Sequence, residues 1–247
     1  MVGYEQLRYL AHQPPGDLTW ESIRRILKSL NDEQMVLGVD YVDRILEGWP
    51  DTIDRSHTCL PLEWVQNPPS WWVVINVLRL SPSANIGVSN LESFISSGRV
   101  SALRKLVFDD GDITPEELKV VVASTELKQL CELSLVSTCL TDEHIAVIAE
   151  HSRLKSLSRL NLSRNQIGDV CLSTMSSSPY ITSHINDIDL SLTRVSDAGI
   201  ASMAQAKWPL KSLVLSRNRV LSSNRGLSGD SARLLANSEN IRQLKVL

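Results

Sequence analysis

A chain of 247 residues, 43% hydrophobic and 21% charged, is long enough to bury a full core and to hold one or two domains. Its formal net charge of −3 gives no basic excess for nucleic acid, and no Lys/Arg run suggests an anionic membrane. The longest apolar run, Trp71 to Val77, is interrupted by Asn76 and far too short to cross a bilayer. Residues 1–13 include Glu5, Arg8 and His12 and lack the continuous apolar stretch of a secretory signal. Cys59, Cys131, Cys139 and Cys171 show no CxxC pair, so reduced thiols in a cytoplasmic protein are expected.

The first 70 residues hold Trp20, Trp49, Trp64 and most of the prolines, and read as a helical N-terminal region. One helix is expected from Trp20 to Leu30, capped by Thr19, because Ile23, Ile26, Leu27 and Leu30 form a single helical stripe. A second is expected from near Asp32 to just before Gly48-Trp49-Pro50, with Met35, Val39, Val42 and Leu46 inward. Prolines break up any long element between Asp51 and Ser70. Trp71 to Leu80 reads as β-rich and Ser89 to Ser97 as a short helix, together a degenerate first unit.

From Leu103 onward a pattern Leu-x-x-Leu-x-Leu recurs, followed by x-x-(Asn/Thr/Gly)-x-(Ile/Leu/Val). The copies begin at Leu103, Leu130, Leu157, Ile185, Leu210 and Ile241, at intervals of 27, 27, 28, 25 and 31 residues. Such a period predicts stacked units that cannot bury their apolar faces alone. Within each unit the Leu-x-Leu portion alternates as a strand does. A helical stripe begins five residues after the last apolar position: Ile113 and Leu118, Leu140 and Ile145, Ile167 and Leu172, Val195 and Ile200. Val121, Ile148, Met175 and Met203 follow one turn later. Thr114-Pro115-Glu116-Glu117 is a capping box, and Thr141-Asp142 and Ser196-Asp197 are further helix starts.

These residues resemble the leucine-rich repeat family, and the unit length is most similar to its ribonuclease-inhibitor-like subclass, over residues 72–247. The match is fullest at Leu157-x-x-Leu160-x-Leu162-x-x-Asn165-x-Ile167-Gly168-Asp169. The resemblance implies an α/β, right-handed horseshoe solenoid with a parallel concave sheet and outer helices. It also implies an asparagine ladder binding loop backbone, at Asn165 and Asn218, with Gly111, Thr138 and Thr193 in the equivalent positions elsewhere. The expected organisation is a helical cap over residues 1–70 and a repeat domain over 71–247.

Residues alternating with the strand leucines are expected to line the concave face. They are Lys105, Val107 and Asp109; Glu132, Ser134 and Val136; Arg159, Asn161 and Ser163; Asp187, Asp189 and Ser191; Ser212, Val214 and Ser216; then Gln243 and Lys245. The expected function is noncatalytic binding of a protein partner there, through Lys105, Asp109, Glu132, Ser134, Arg159, Asn161, Asp187, Asp189, Ser212 and Lys245. Arg159, Glu132, Asp187 and Asp189 would set the charge preference.

Catalytic and cofactor chemistry finds little support. Asp187 and Asp189 lie two apart on one strand face, but no third acid or glycine-rich loop makes a cation site of them. His144 and His151 share a helix face without a zinc-site partner. The cysteines are expected to pack as small apolar residues, and no metal or other cofactor is expected. No serine lies in a Gly-x-Ser-x-Gly turn, and Gly226-Leu227-Ser228-Gly229 lacks the lysine of a P-loop. The competing class is an enzyme or enzyme regulator, with activity in residues 1–70 or with Arg164 and Arg217 serving a GTPase as charge-stabilising arginines. The last strand, from Ile241, is expected to be shielded by the 221–240 segment; the alternatives are pairing with a second copy in a homodimer, or a chain that is a fragment of a longer array.

Overall fold

The computed structural model describes residues 2–46, 56–58, 75–80, 86–108, 110–208, 210–218, 227–238 and 245–246. Three helices open the chain: α1 (Val2–Ala11), α2 (Asp17–Leu27) and α3 (Asp32–Leu46). α2 starts earlier than its apolar stripe suggests. Gly16 precedes it in an extended conformation and its carbonyl accepts the first helical bond, from Trp20 N at 2.9 Å. Thr19 is therefore inside the helix, donating its hydroxyl to Pro14 O at 3.0 Å rather than capping. The helix also ends before Leu30, whose N–H bonds to Leu27 O (3.3 Å) in a tightened last turn. α3 runs as expected and is capped by Asn31, whose side chain accepts from Gln34 N at 2.9 Å. Leu7, Trp20, Ile23, Leu27, Met35, Val42 and Leu46 are buried at the centre of these helices. The expected stop at Gly48-Trp49-Pro50 lies outside the described residues.

An eight-stranded parallel sheet follows in simple sequential order. Its strands are β1 (Ser56–Thr58), β2 (Val77–Arg79), β3 (Lys105–Val107), β4 (Glu132–Ser134), β5 (Arg159–Asn161), β6 (Asp187–Asp189), β7 (Ser212–Val214) and β8 (Lys245–Val246). The sheet begins with β1, inside the proline-rich stretch; Ser56 stands opposite Val77. Register is constant along the central row, Leu78, Leu106, Leu133, Leu160, Ile188 and Leu213, all buried. Bonds beyond the three-residue strands extend the ladder. Phe108 N, Leu135 N, Leu162 N and Leu190 N each reach the next unit's carbonyl at 2.9 Å.

Helices alternate with these strands: α4 (Val88–Ser96), α5 (Pro115–Val122), α6 (Asp142–His151), α7 (Asp169–Ser177), α8 (Pro179–His184), α9 (Asp197–Gln205) and α10 (Gly229–Asn237). Every residue of the expected stripe, from Ile113 to Met203, is buried. The capping box of α5 is present, with Glu117 N to Thr114 Oγ1 at 3.2 Å and Thr114 N to Glu117 Oε2 at 2.9 Å. Two helices were not expected from the sequence. α1 lacks a cap pattern, and α8 is a six-residue helix set off by Pro179 that occupies the unit with the 28-residue interval.

Units are tied together at the helix starts as well as in the sheet. Glu117 reaches back to Gly87 N (3.1 Å), and His144 Nε2 meets Ile113 O at 2.7 Å. His144 Nδ1 lies 3.1 Å from the donor Thr141 N, so the ring takes the Nε2–H tautomer and replaces the usual glutamate of a capping box. Asp169 accepts from Ser196 N (2.8 Å) and Ser196 Oγ (2.5 Å). Asp197 accepts from Ser228 N at 3.0 Å and from the Ser231 hydroxyl. The Ser231 hydroxyl, and after it Ser228, hold the Asp197 carboxyl below its ordinary pKa. Gly199 sits against the Asp169–Ser196 link, where an added Cβ would lie 2.9 Å from Leu172 Cδ1 and collide with the Asp169 carboxylate.

Candidate interaction face on the parallel sheet

The parallel register brings the first residues of the strands into one row: Lys105, Glu132, Arg159, Asp187, Ser212 and Lys245. Charges alternate along its first four positions and pair across strands. Lys105 Nζ lies 2.5 Å from Glu132 Oε1, and Arg159 Nη1 lies 3.4 Å from Glu132 Oε2. On its other side Arg159 Nε lies 3.7 Å from Asp187 Oδ2. Arg159 is thus shared between two carboxylates while its side chain remains 57% exposed. Such pairs contribute about 0.2–1 kcal/mol each. Their larger effect is to hold long side chains upright in a fixed order.

The next row is Arg79, Val107, Ser134, Asn161, Asp189 and Val214. Here the sequence expectation needs correcting at two positions. Val107 is 2% exposed and Ser134 4% exposed, so neither offers a side chain to a partner in this state. Ser163, one row further, is also buried. Alternation along a strand assigns a face, but it does not make every residue on that face accessible. Asn161 and Asp189 are half-buried and turned to local work. Asn161 Oδ1 accepts from Ser163 N (3.0 Å), and Asp189 Oδ1 accepts from Ser191 N (2.8 Å) and Ser191 Oγ (2.5 Å). Asp187 and Asp189 therefore have separate partners, and among the described residues no group of His, Cys, Asp and Glu could hold a metal. Asp109 lies outside the described residues, and Lys245 is placed only by its backbone, opposite Ser212.

At the strand-to-helix rim the chain makes the same sharp turn in each unit from β3 to β7. Asp110, Ser137, Arg164, Leu192 and Arg217 all have φ between 55° and 58°, a left-handed conformation that disfavours non-glycine residues. It recurs because it aims the N–H of Asp110, Ser137, Arg164 and Leu192 at the next unit, at 2.9–3.1 Å. Arg164 and Arg217, the sequence candidates for a charge-stabilising role, are exposed at this turn. The following residue is the ladder position. Asn165 is buried and fully used. It accepts from Thr138 N (3.0 Å) and Leu140 N (3.1 Å), and donates to Leu135 O (2.7 Å), Leu162 O (3.0 Å) and Ser163 O (3.1 Å). The Thr138 hydroxyl donates to its own unit's Leu135 O at 2.9 Å, and the Thr193 hydroxyl lies within reach of both Leu190 O (2.8 Å) and Asn218 Oδ1 (3.1 Å). Asn218 accepts from Thr193 N at 2.7 Å, and its amide nitrogen is buried without a partner.

The cysteines divide by position. Cys171 is buried with its thiol donating to Asp142 Oδ1 at 2.7 Å, and burial followed by that bond pushes its pKa up to about 12. Cys139 does not pack as expected. It is exposed on a left-handed backbone (φ 53°), and the hydrogen bond to Asp112 raises its thiol pKa. Near the N-terminus, Tyr9 lines two open depressions between Glu5, Gln6, Arg8, Leu10, His12 and Ile26. No helix among the described residues is long and apolar enough to cross a membrane.

No protein-family model and no curated protein matches the sequence. Among solved structures the chain is similar to a Bacteroides fragilis protein determined by the Northeast Structural Genomics Consortium. The two share 12% identity with a TM-score of 0.37, over 87% of this chain and 84% of that one.

Proposed function

We propose that this chain is a leucine-rich repeat solenoid that binds a protein partner across the exposed face of its parallel sheet, without catalysing a reaction. In this reading residues 71–247 form the horseshoe, α1–α3 cap its first apolar edge, and the protein works in the cytoplasm. The observation that carries it is the in-register row Lys105, Glu132, Arg159, Asp187 and Ser212, which presents ordered charge on one side of the sheet. A partner exchanges these cross-strand pairs for its own, so binding weakens with salt. A photo-crosslinker replacing Ser212 captures the partner, whereas one replacing Lys119 on the outer helix α5 does not, and Arg159→Glu abolishes capture. Equal capture from both positions, or capture indifferent to Arg159→Glu, removes the assignment. A homodimer through β8 belongs to the same reading, and sedimentation holding a monomer mass at high concentration removes it.

A further inference from the structure

Parallel strands place every helix-to-strand turn on one edge of the sheet and every strand-to-helix loop on the other. The loop edge is mixed: Asp110, Asp112, Glu116, Asp142, Glu143 and Asp169 place carboxylates where helix N-termini favour them, and Arg164, Arg194 and Arg217 are exposed beside them. The turn edge is cationic. Lys128, Arg153, Lys155, Lys207 and Lys211 are all exposed there, against Glu126 and Glu150. No ion pair engages any of the five among the described residues, in contrast to Lys105 and Arg159 on the sheet face.

Helix C-termini attract cations, but that effect fades beyond the last turn. α5 ends at Val122, α6 at His151 and α9 at Gln205, so Lys128, Lys155 and Lys211 lie well past it. Lys128 and Lys155 occupy equivalent places in successive units. Their backbones are fixed. Arg153 N bonds to Val122 O (2.6 Å), Ser156 Oγ to Lys128 O (2.7 Å), Tyr180 OH to Leu154 O (2.8 Å) and Lys211 N to Asn186 O (2.7 Å). A ligand meeting these cations orders side chains, not backbone.

We propose that this edge is a second interaction surface, separate from the sheet face, which takes an extended acidic segment of a protein. Lys128 and Lys155 lie the same distance ahead of β4 and β5, and Lys211 immediately precedes β7, so the third cation is offset along the strand direction and the span is counted across the strands. At a strand spacing of roughly 4.8 Å they span on the order of 14 Å, the reach of four or five extended residues. The same turns argue against other polyanions. Trp208 is buried, its Nε1 donating to Ile185 O at 2.7 Å, so it offers no base-stacking platform. Leu127, Leu130, Leu154, Leu157 and Leu210 are buried too, leaving no apolar wedge for a lipid surface.

The test is fluorescence anisotropy of a fluorescein-labelled (Glu-Asp) octapeptide with the full chain. K128E/K155E/K211E is set against R8E/R25E/R233E, which changes net charge equally away from the edge. The peptide binds saturably and more weakly as salt rises; the edge variant loses about tenfold or more in affinity and the control stays within about twofold. No saturable binding, or equal loss in both variants, overturns the site. Tighter binding of an oligouridylate or of phosphatidylserine vesicles, lost in the edge variant, overturns the occupant. Both variants are checked against the parent's circular dichroism melt. If the reversal variant unfolds, K128Q/K155Q/K211Q takes its place with the same expected direction.

Discussion

Replacing Asn165 with alanine tests how the units are joined. The side chain is 3% exposed and makes five hydrogen bonds, two of them accepted from the backbone of the preceding unit, Thr138 N and Leu140 N. Alanine leaves both buried donors without an acceptor, each costing about 1–3 kcal/mol, and also frees the carbonyls of Leu135, Leu162 and Ser163. Local relaxation and water recover part of this, so a net loss of about 3–5 kcal/mol is expected, at the upper end for a single substitution. For a chain of this length that lowers Tm by roughly 6–20 °C. Asn218→Ala provides the internal comparison. Its side chain accepts from Thr193 N and Thr193 Oγ1, and its amide nitrogen has no partner to lose, so the expected loss is smaller, about 1–3 kcal/mol. Urea unfolding followed by circular dichroism measures both. Asn165→Ala within about 0.5 kcal/mol of the parent, or costing less than Asn218→Ala, refutes the view that this side chain bridges units.

Gly199→Ala should destabilise by about 1–3 kcal/mol, because the new methyl group meets Leu172 Cδ1 and the Asp169 carboxylate that binds Ser196; a thermal melt unchanged from the parent would contradict the packing. Arg164→Gly should stabilise by about 0.5–1 kcal/mol, relieving a left-handed residue at φ 58°, whereas Arg194→Gly, where φ is not positive, should destabilise; denaturant midpoints separate the two. The carboxyl of Asp197 titrates lower folded than unfolded, so its contribution is present above the unfolded value near 3.8 and disappears as pH falls through the depressed one. Asp197→Asn should accordingly lose less stability than the parent between about pH 5 and pH 2, and parallel curves would disprove the linkage. At about pH 8 iodoacetamide should label the exposed Cys139, more slowly than an unpaired cysteine because Asp112 disfavours its thiolate, and leave Cys171 unmodified in the folded chain, since burial and Asp142 hold the latter as a thiol; mass spectrometry of the peptides decides.

The periodic leucines alone determined the strand and helix of each regular unit, the faces they bury and the parallel stacking. Both periods, two and 3.6, are visible in the order of residues, and a unit with one apolar face must lean on another. Helix starts were equally legible where the cap is local, as at Thr114 and Ser196. Contributions from distant residues were not. β1 forms only because β2 offers it an edge to pair with, and Asp169 and Asp197 bond to serines 27 or more residues further on. The candidate face divided in the same way. Alternation named its residues, but stacking the units decided that Val107 and Ser134 are covered and that Arg159 lies between Glu132 and Asp187. It also set Lys128 beside Lys155 on one edge, 27 residues apart in the chain and one unit apart in space. Local pattern is written in neighbouring residues, whereas burial, ion pairing and shared edges belong to residues that only the stacked array brings together.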